Sequence, residues 1–63
     1  MIYLNQLGQV IRQRRRALGL SQSKLAYFCD LSRQTIVRLE KGTLHELGFN
    51  RLAQTLSILG LEL

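Results

Sequence analysis

Arg33, Gln34, Thr35 and Arg38 lie close together in the chain and carry the chemistry that reads base edges. An arginine fork matches the paired acceptors of guanine, and a glutamine amide matches the acceptor–donor pair of adenine. Thr35 offers a methyl for thymine and a hydroxyl for a phosphate oxygen. Arg38 follows Gln34 by one helical turn, so it can read a further base or grip a phosphate. A second group, Ser21, Gln22 and Ser23, suits a phosphate oxygen if it opens a helix, where N–H groups are free. Ser32 stands in the same relation to the Arg33 segment, and Lys24 and Lys41 supply charge for a phosphate backbone. Each group also has a plainer use. Ser21 and Ser32 would cap helices in any helical protein, and Arg33 and Arg38 would suit an ordinary solvated face.

The elements that must position these residues are legible in the run Ser21–Gly42, which reads as two short helices joined by a sharp turn. Ser21 is a good N-cap, and Leu25, Ala26, Phe28 and Cys29 recur behind it at helical spacing. Asp30-Leu31-Ser32 breaks that pattern. Aspartate tolerates the left-handed backbone of a tight corner, and Ser32 caps the second helix. There Ile36, Val37 and Leu39 are apolar against polar Arg33, Gln34, Thr35 and Arg38, and Gly42 stops the helix. Leu25, Phe28, Ile36 and Leu39 are expected in the core. Cys29 is expected as a small buried hydrophobe, and Tyr3 and Tyr27 as half-buried aromatics.

Upstream, Leu7, Val10, Ile11 and Leu18 predict a helix over Gln6–Leu18, with its stripe inward and Gly19 closing it. Asn5 is placed to cap it, and Met1–Leu4 could be a frayed end, a short strand or a staple. Arg12, Arg14, Arg15 and Arg16 share this helix. They could touch phosphate, or form a basic face suited to the helix C-terminus. Downstream, Thr43–Gly48 reads as a capped turn or single helical turn, with His45 a loop residue. Phe49, Leu52, Ala53, Leu56 and Leu59 predict a last helix capped by Asn50 and closed by Gly60. Ile58 lies off that stripe, where it could face a partner. The tail Leu59-Gly60-Leu61-Glu62-Leu63 alternates with period two, which suggests a short strand unless the terminus frays. Such a strand needs a partner, either the same tail of a second subunit or Ile2–Leu4. Ile58, Leu61 and Leu63 are therefore the expected dimerisation residues.

The run LSQSKLAYFCDLSRQTIVRLEKG resembles the helix-turn-helix of the Cro and phage-repressor, or XRE, family. The resemblance lies in Gln22 opening the first helix, Ala26 at the helix–helix crossing, inward Ile36 and Leu39, and the ending Leu39-Glu40-Lys41-Gly42. It extends upstream through Leu7-Gly8, Ile11-Arg12 and Arg15. The corner departs from the family pattern, with Asp30 where glycine is usual. The resemblance implies an all-α, five-helix lambda-repressor-like DNA-binding domain, with the Ser32–Lys41 helix entering a major groove. It also implies a structural ion pair between Arg15 and Glu40. The C-terminal half is similar to HipB-type antitoxins, which implies a dimer joined through the tail.

Size and composition bound these readings. Sixty-three residues make one domain, 1–63. A chain this short buries only about 60% of its unfolded surface, so dimerisation is an expected source of further core. The single cysteine excludes an internal disulfide, and no Cys/His cluster has metal-site spacing. Absence of proline and an apolar content of 46% argue against disorder. No apolar run is long enough to span a membrane and no signal peptide is evident, so a cytoplasmic protein fits best. The Arg-rich helix lacks the clean opposed faces of a membrane-surface helix.

Nine Lys and Arg against four Asp and Glu give a net charge of +5, which favours a polyanionic partner. With no acid–base pair, nucleophile–base set or phosphate-cradling glycine loop, no enzyme and no cofactor are expected. The expected partner is double-stranded DNA, bound by a homodimeric repressor that reads an inverted repeat. The alternative is an antitoxin that binds a partner toxin and represses its own operon.

Overall fold

A computed structural model describes residues 4–44 and 46–61, which form four helices. These are α1 (Leu4–Ala17), α2 (Gln22–Cys29), α3 (Arg33–Lys41) and α4 (Phe49–Ile58). Helix α3 packs on both α1 and α2, and α4 closes against α2. The core between them is Ile11, Leu25, Ala26, Cys29, Ile36, Leu39, Leu56 and Leu59. Burying a side chain such as Leu or Ile stabilises by about 1.5–3 kcal/mol, so each is a sizeable share of a small domain's stability.

Helix α1 begins at Leu4, which places Asn5 inside the first turn instead of at the cap. Its inward residues are Leu7, Gly8, Ile11 and Arg15, a narrow stripe at spacings near four. Val10 and Leu18 are exposed, contrary to the stripe read from the sequence. Val10 lies about 100° round the helix from Ile11, and Leu18 falls past the last helical residue. Gly8 is where α1 comes closest to α3. A Cβ there would overlap the Leu39 carbonyl oxygen and approach that of Glu40 to 2.7 Å.

Both central helices are capped by the serines that precede them. Ser21 Oγ accepts from the Lys24 N–H at 3.0 Å, and Ser32 Oγ accepts from the Thr35 N–H at 3.1 Å. Their C-termini close alike. Leu31 N–H donates to the Ala26 carbonyl and Thr43 N–H to the Arg38 carbonyl, with Asp30 (φ 55°) and Gly42 (φ 76°) left-handed. The α2–α3 corner is therefore turned by an aspartate in the conformation glycine adopts most easily.

Phe28 and Tyr27 correct the reading of α2. Phe28 is 45% exposed instead of in the core, and Tyr27 is 77% exposed instead of half-buried. Leu25, Ala26 and Cys29 fill the inner face of this short helix, leaving the aromatics edge-to-face with each other outside.

Helix α4 starts at Phe49 after Gly48, so Asn50 sits in its first turn and no side chain caps it. Phe49 is 71% exposed, and the fully buried positions are Thr55 and Leu59. Thr55 is accommodated because its hydroxyl donates to the Arg51 carbonyl one turn back. Among the described residues of Thr43–Gly48 there is no helical turn. Leu44 and Leu47 nevertheless pack against the core. The expected fifth helix is thus absent among the described residues. No strand occurs among them either, and Glu62 and Leu63 of the expected C-terminal strand lie outside them. Ile58 and Leu61 are partly buried against the core. Met1–Tyr3 and His45 also lie outside the described residues.

Candidate nucleic-acid interface

The Ser32 cap fixes where α3 begins, and with it the direction of the side chains in its first turn. Arg33 and Gln34 are exposed there, and Arg38 is exposed one turn beyond Gln34. Thr35 is half-buried and its hydroxyl lies 2.9 Å from Ser32 Oγ, so both hydroxyls belong to the cap. Ser21 is likewise occupied by capping α2, while Ser23 is exposed beside it. Lys24 turns toward the outer aromatics, its Nζ 5.6 Å from the Phe28 ring centre and 5.9 Å from that of Tyr27.

Behind this surface runs a chain of polar contacts that ties three helices together. Arg15 donates through Nε and Nη2 to the two carboxylate oxygens of Glu40, at 2.6 and 3.1 Å, and through Nη1 to the Leu20 carbonyl at 2.7 Å. Both partners are only 7% exposed. Burying two charges is costly, and the bidentate geometry with the added carbonyl offsets that cost. Gln22 continues the chain. Its Nε2 donates to Glu40 Oε1 at 3.2 Å, and its Oε1 accepts from Arg33 Nη2 at 3.5 Å. The side chain at the start of α2 thus connects the buried pair to the first residue of α3.

Above the pair lies an open basin of about 740 Å³. Its rim is formed by Arg12 and Arg16 of α1, Ser21, Gln22 and Ser23 at the start of α2, and Arg33 and Lys41 of α3. Its one carboxylate, Glu40, is held by Arg15 and Gln22, which leaves the remaining cations uncompensated and the basin positive. Such a surface attracts polyanions and offers hydrogen-bond donors to their oxygens. Among the described residues no group of His, Cys, Asp and Glu is placed to hold a metal ion. None of their helices is long and apolar enough to cross a membrane.

The structure therefore gathers Ser21, Gln22, Ser23, Arg33 and Lys41 around one concavity. Gln34, Thr35 and Arg38 lie along α3 outside it, and Lys24 is directed toward the aromatics. Two features escape sequence reasoning. Gln22 is engaged on both sides of its amide, a contact across 18 positions that no local pattern signals. Arg14 donates to the Leu59 carbonyl at 2.8 Å, which gives it a packing role distinct from its neighbours'.

Residues 6–63 match a family described as a helix-turn-helix domain. The chain superposes on the restriction-modification controller protein C.AhdI of Aeromonas hydrophila with a TM-score of 0.83 and 30% sequence identity. That match covers 94% of this chain and 88% of the controller. It also superposes on apo-HppE at a TM-score of 0.85 and 20% identity, covering 97% of this chain and 34% of that one. For the Fe(II) form of HppE with substrate the values are 0.84, 20%, 94% and 34%. At that identity the likeness is one of fold alone. No curated protein matches the chain.

Proposed function

The chain belongs to the helix-turn-helix domain family, of XRE type, and we propose that it is a dimeric repressor reading an inverted repeat in double-stranded DNA. The observation that carries this reading is the first turn of α3. It is capped by Ser32 and exposes Arg33 and Gln34 beside a positive basin. A helix presented in this way enters the major groove with its N-terminal residues against base edges. Arg33 takes a guanine, Gln34 an adenine, and Arg38 a further base or a phosphate. Ser23, Lys41 and the N-terminal amides of α2 hold the backbone beside it. Two subunits place their α3 helices in half-sites about 34 Å apart, joined through the Ile58 and Leu61 end of α4 and the tail through Leu63.

The 30% identity to a restriction-modification controller protein favours gene control as the biological role. The antitoxin reading uses the same DNA contact and adds a toxin partner, which a pull-down from the native cell would reveal.

Selection from a random duplex pool tests the proposal, run beside Arg33→Ala/Gln34→Ala. An enriched inverted repeat that the variant fails to enrich is expected. No enrichment by the unaltered protein would remove sequence-specific DNA reading, and sedimentation as a monomer with and without the enriched duplex would remove the dimer.

A further inference from the structure

Two of the arginines on α1 are not accounted for by packing. Arg14 is bound to the Leu59 carbonyl and Arg15 to Glu40 and Leu20. Arg12 and Arg16 are exposed, and among the described residues neither has a hydrogen-bond or carboxylate partner. The helix dipole favours Arg16 in the last turn but falls off before Arg12, so it does not explain the pair.

Their placement does. Arg12 and Arg16 are four positions apart on one face, with Cβ atoms about 6 Å from each other. They line the basin shared with Ser21–Ser23, Arg33 and Lys41. They also line a second, smaller concavity with Gln9 and Gln13 on the far side. The two guanidiniums thus form a ridge between the basin and a polar strip running back along α1. The carboxylate beneath the ridge is already neutralised by Arg15, so the charge of the ridge is directed at solvent.

We propose that this ridge is a seat for the phosphodiester backbone of DNA, in which Arg12 and Arg16 each take a phosphate of the strand flanking the groove that α3 enters. The proposal rests on the DNA-binding reading and extends the footprint beyond the helix-turn-helix onto α1. Gln9 and Gln13 lie beyond it as neutral donors to the same strand. Contacts of this kind position the protein and add affinity without reading sequence. The ridge therefore strengthens binding to enriched and unrelated duplexes alike.

The experiment measures affinity for an enriched and an unrelated duplex across a salt series. It uses the unaltered protein, Arg12→Ala, Arg16→Ala, the double variant, and Arg51→Ala on α4. Each phosphate contact contributes about 0.9 to the slope of log K against log salt. Two subunits bring four such contacts to one duplex, so the double variant is expected to lose about 3.6 from the slope and each single variant about half of that, equally on both duplexes. The enriched sequence should stay the same, and Arg51→Ala should leave the slope unaltered. Melting curves separate this result from unfolding, because both arginines are exposed. A double variant with an unaltered slope would overturn the ridge while leaving DNA reading intact. A slope that falls equally in Arg51→Ala would also overturn it, by showing only the effect of net charge. Failure of the unaltered protein to bind either duplex would overturn the parent reading itself.

Discussion

Arg15 Nε lies 2.6 Å from Glu40 Oε2, joining the last turn of α1 to the end of α3 inside the domain. Removing one member would strand the other charge in a poorly solvated site, at about 3–5 kcal/mol. At about 0.05–0.15 kcal/mol per residue, a domain of this size has only about 3–9 kcal/mol in total. Glu40→Ala should therefore lose a large part of the domain's stability. Arg15→Met/Glu40→Leu, which leaves no orphaned charge, should recover most of the lost stability. Urea unfolding followed by circular dichroism would check both. A Glu40→Ala protein as stable as the unaltered one would show that the pair contributes nothing to the fold.

Gly8 sets the distance between α1 and α3. Alanine would gain about 1 kcal/mol in helix propensity at an ordinary helical position. Here its methyl meets the carbonyl oxygens of Leu39 and Glu40, which are backbone atoms and cannot swing aside. Overpacking of this kind costs about 1–3 kcal/mol, so the clash should win. Gly8→Ala is expected to lower the melting temperature by several degrees, at about 4–8 °C per kcal/mol for so small a domain. A rise in melting temperature would mean that the helices separate at little cost.

Asp30 turns the corner with φ 55° and ψ 42°, a conformation costing a non-glycine residue about 1–2 kcal/mol. Its carboxylate also stands at the negative end of α2. Glycine removes both penalties and adds back up to about 1 kcal/mol of unfolded-state entropy. Asp30→Gly should therefore stabilise the domain by about 0.5–1 kcal/mol, and Asp30→Val should destabilise it by more than that. Denaturant midpoints for the two variants would decide. A loss of stability in the glycine variant would locate a side-chain role for Asp30 beyond the turn.

How far these features are legible in the sequence depends on whether they are local. Ser21, Ser32, Asp30 and Gly42 act through backbone within a few residues, and a single sequence shows such signals directly. Choosing which apolar residues face inward is harder. Val10, Phe28 and Phe49 each fit a helical repeat, yet a four-helix domain this small has room for only a narrow stripe from each helix. Thr55 reads as polar and is fully buried, because its hydroxyl is satisfied within its own helix. Leu44 and Leu47 reach the core without a helical turn, in a segment too short for periodicity to speak. The Arg15–Glu40 pair entered through family resemblance alone, and the engagement of Gln22 depends on tertiary proximity to Glu40.

That engagement leads to a prediction about reading rather than folding. Gln22 stands between Glu40 and Arg33, donating to one and accepting from the other. Glu40 keeps its two bonds to Arg15 if Gln22 is removed, so the stability loss in Gln22→Ala should stay near ~1 kcal/mol, the net worth of an ordinary hydrogen bond. Arg33 loses its one acceptor at the α2 end and samples more rotamers, which weakens a bidentate contact whose geometry must be held. Under the DNA-binding proposal, Gln22→Ala should flatten base preference at the same position as Arg33→Ala. The effect should be smaller than the ~1–3 kcal/mol of a lost bidentate pair. Selection with both variants, scored position by position, is the measurement. Flattening at a different position would assign Gln22 to the phosphate backbone, and unaltered preference would reduce it to a structural link.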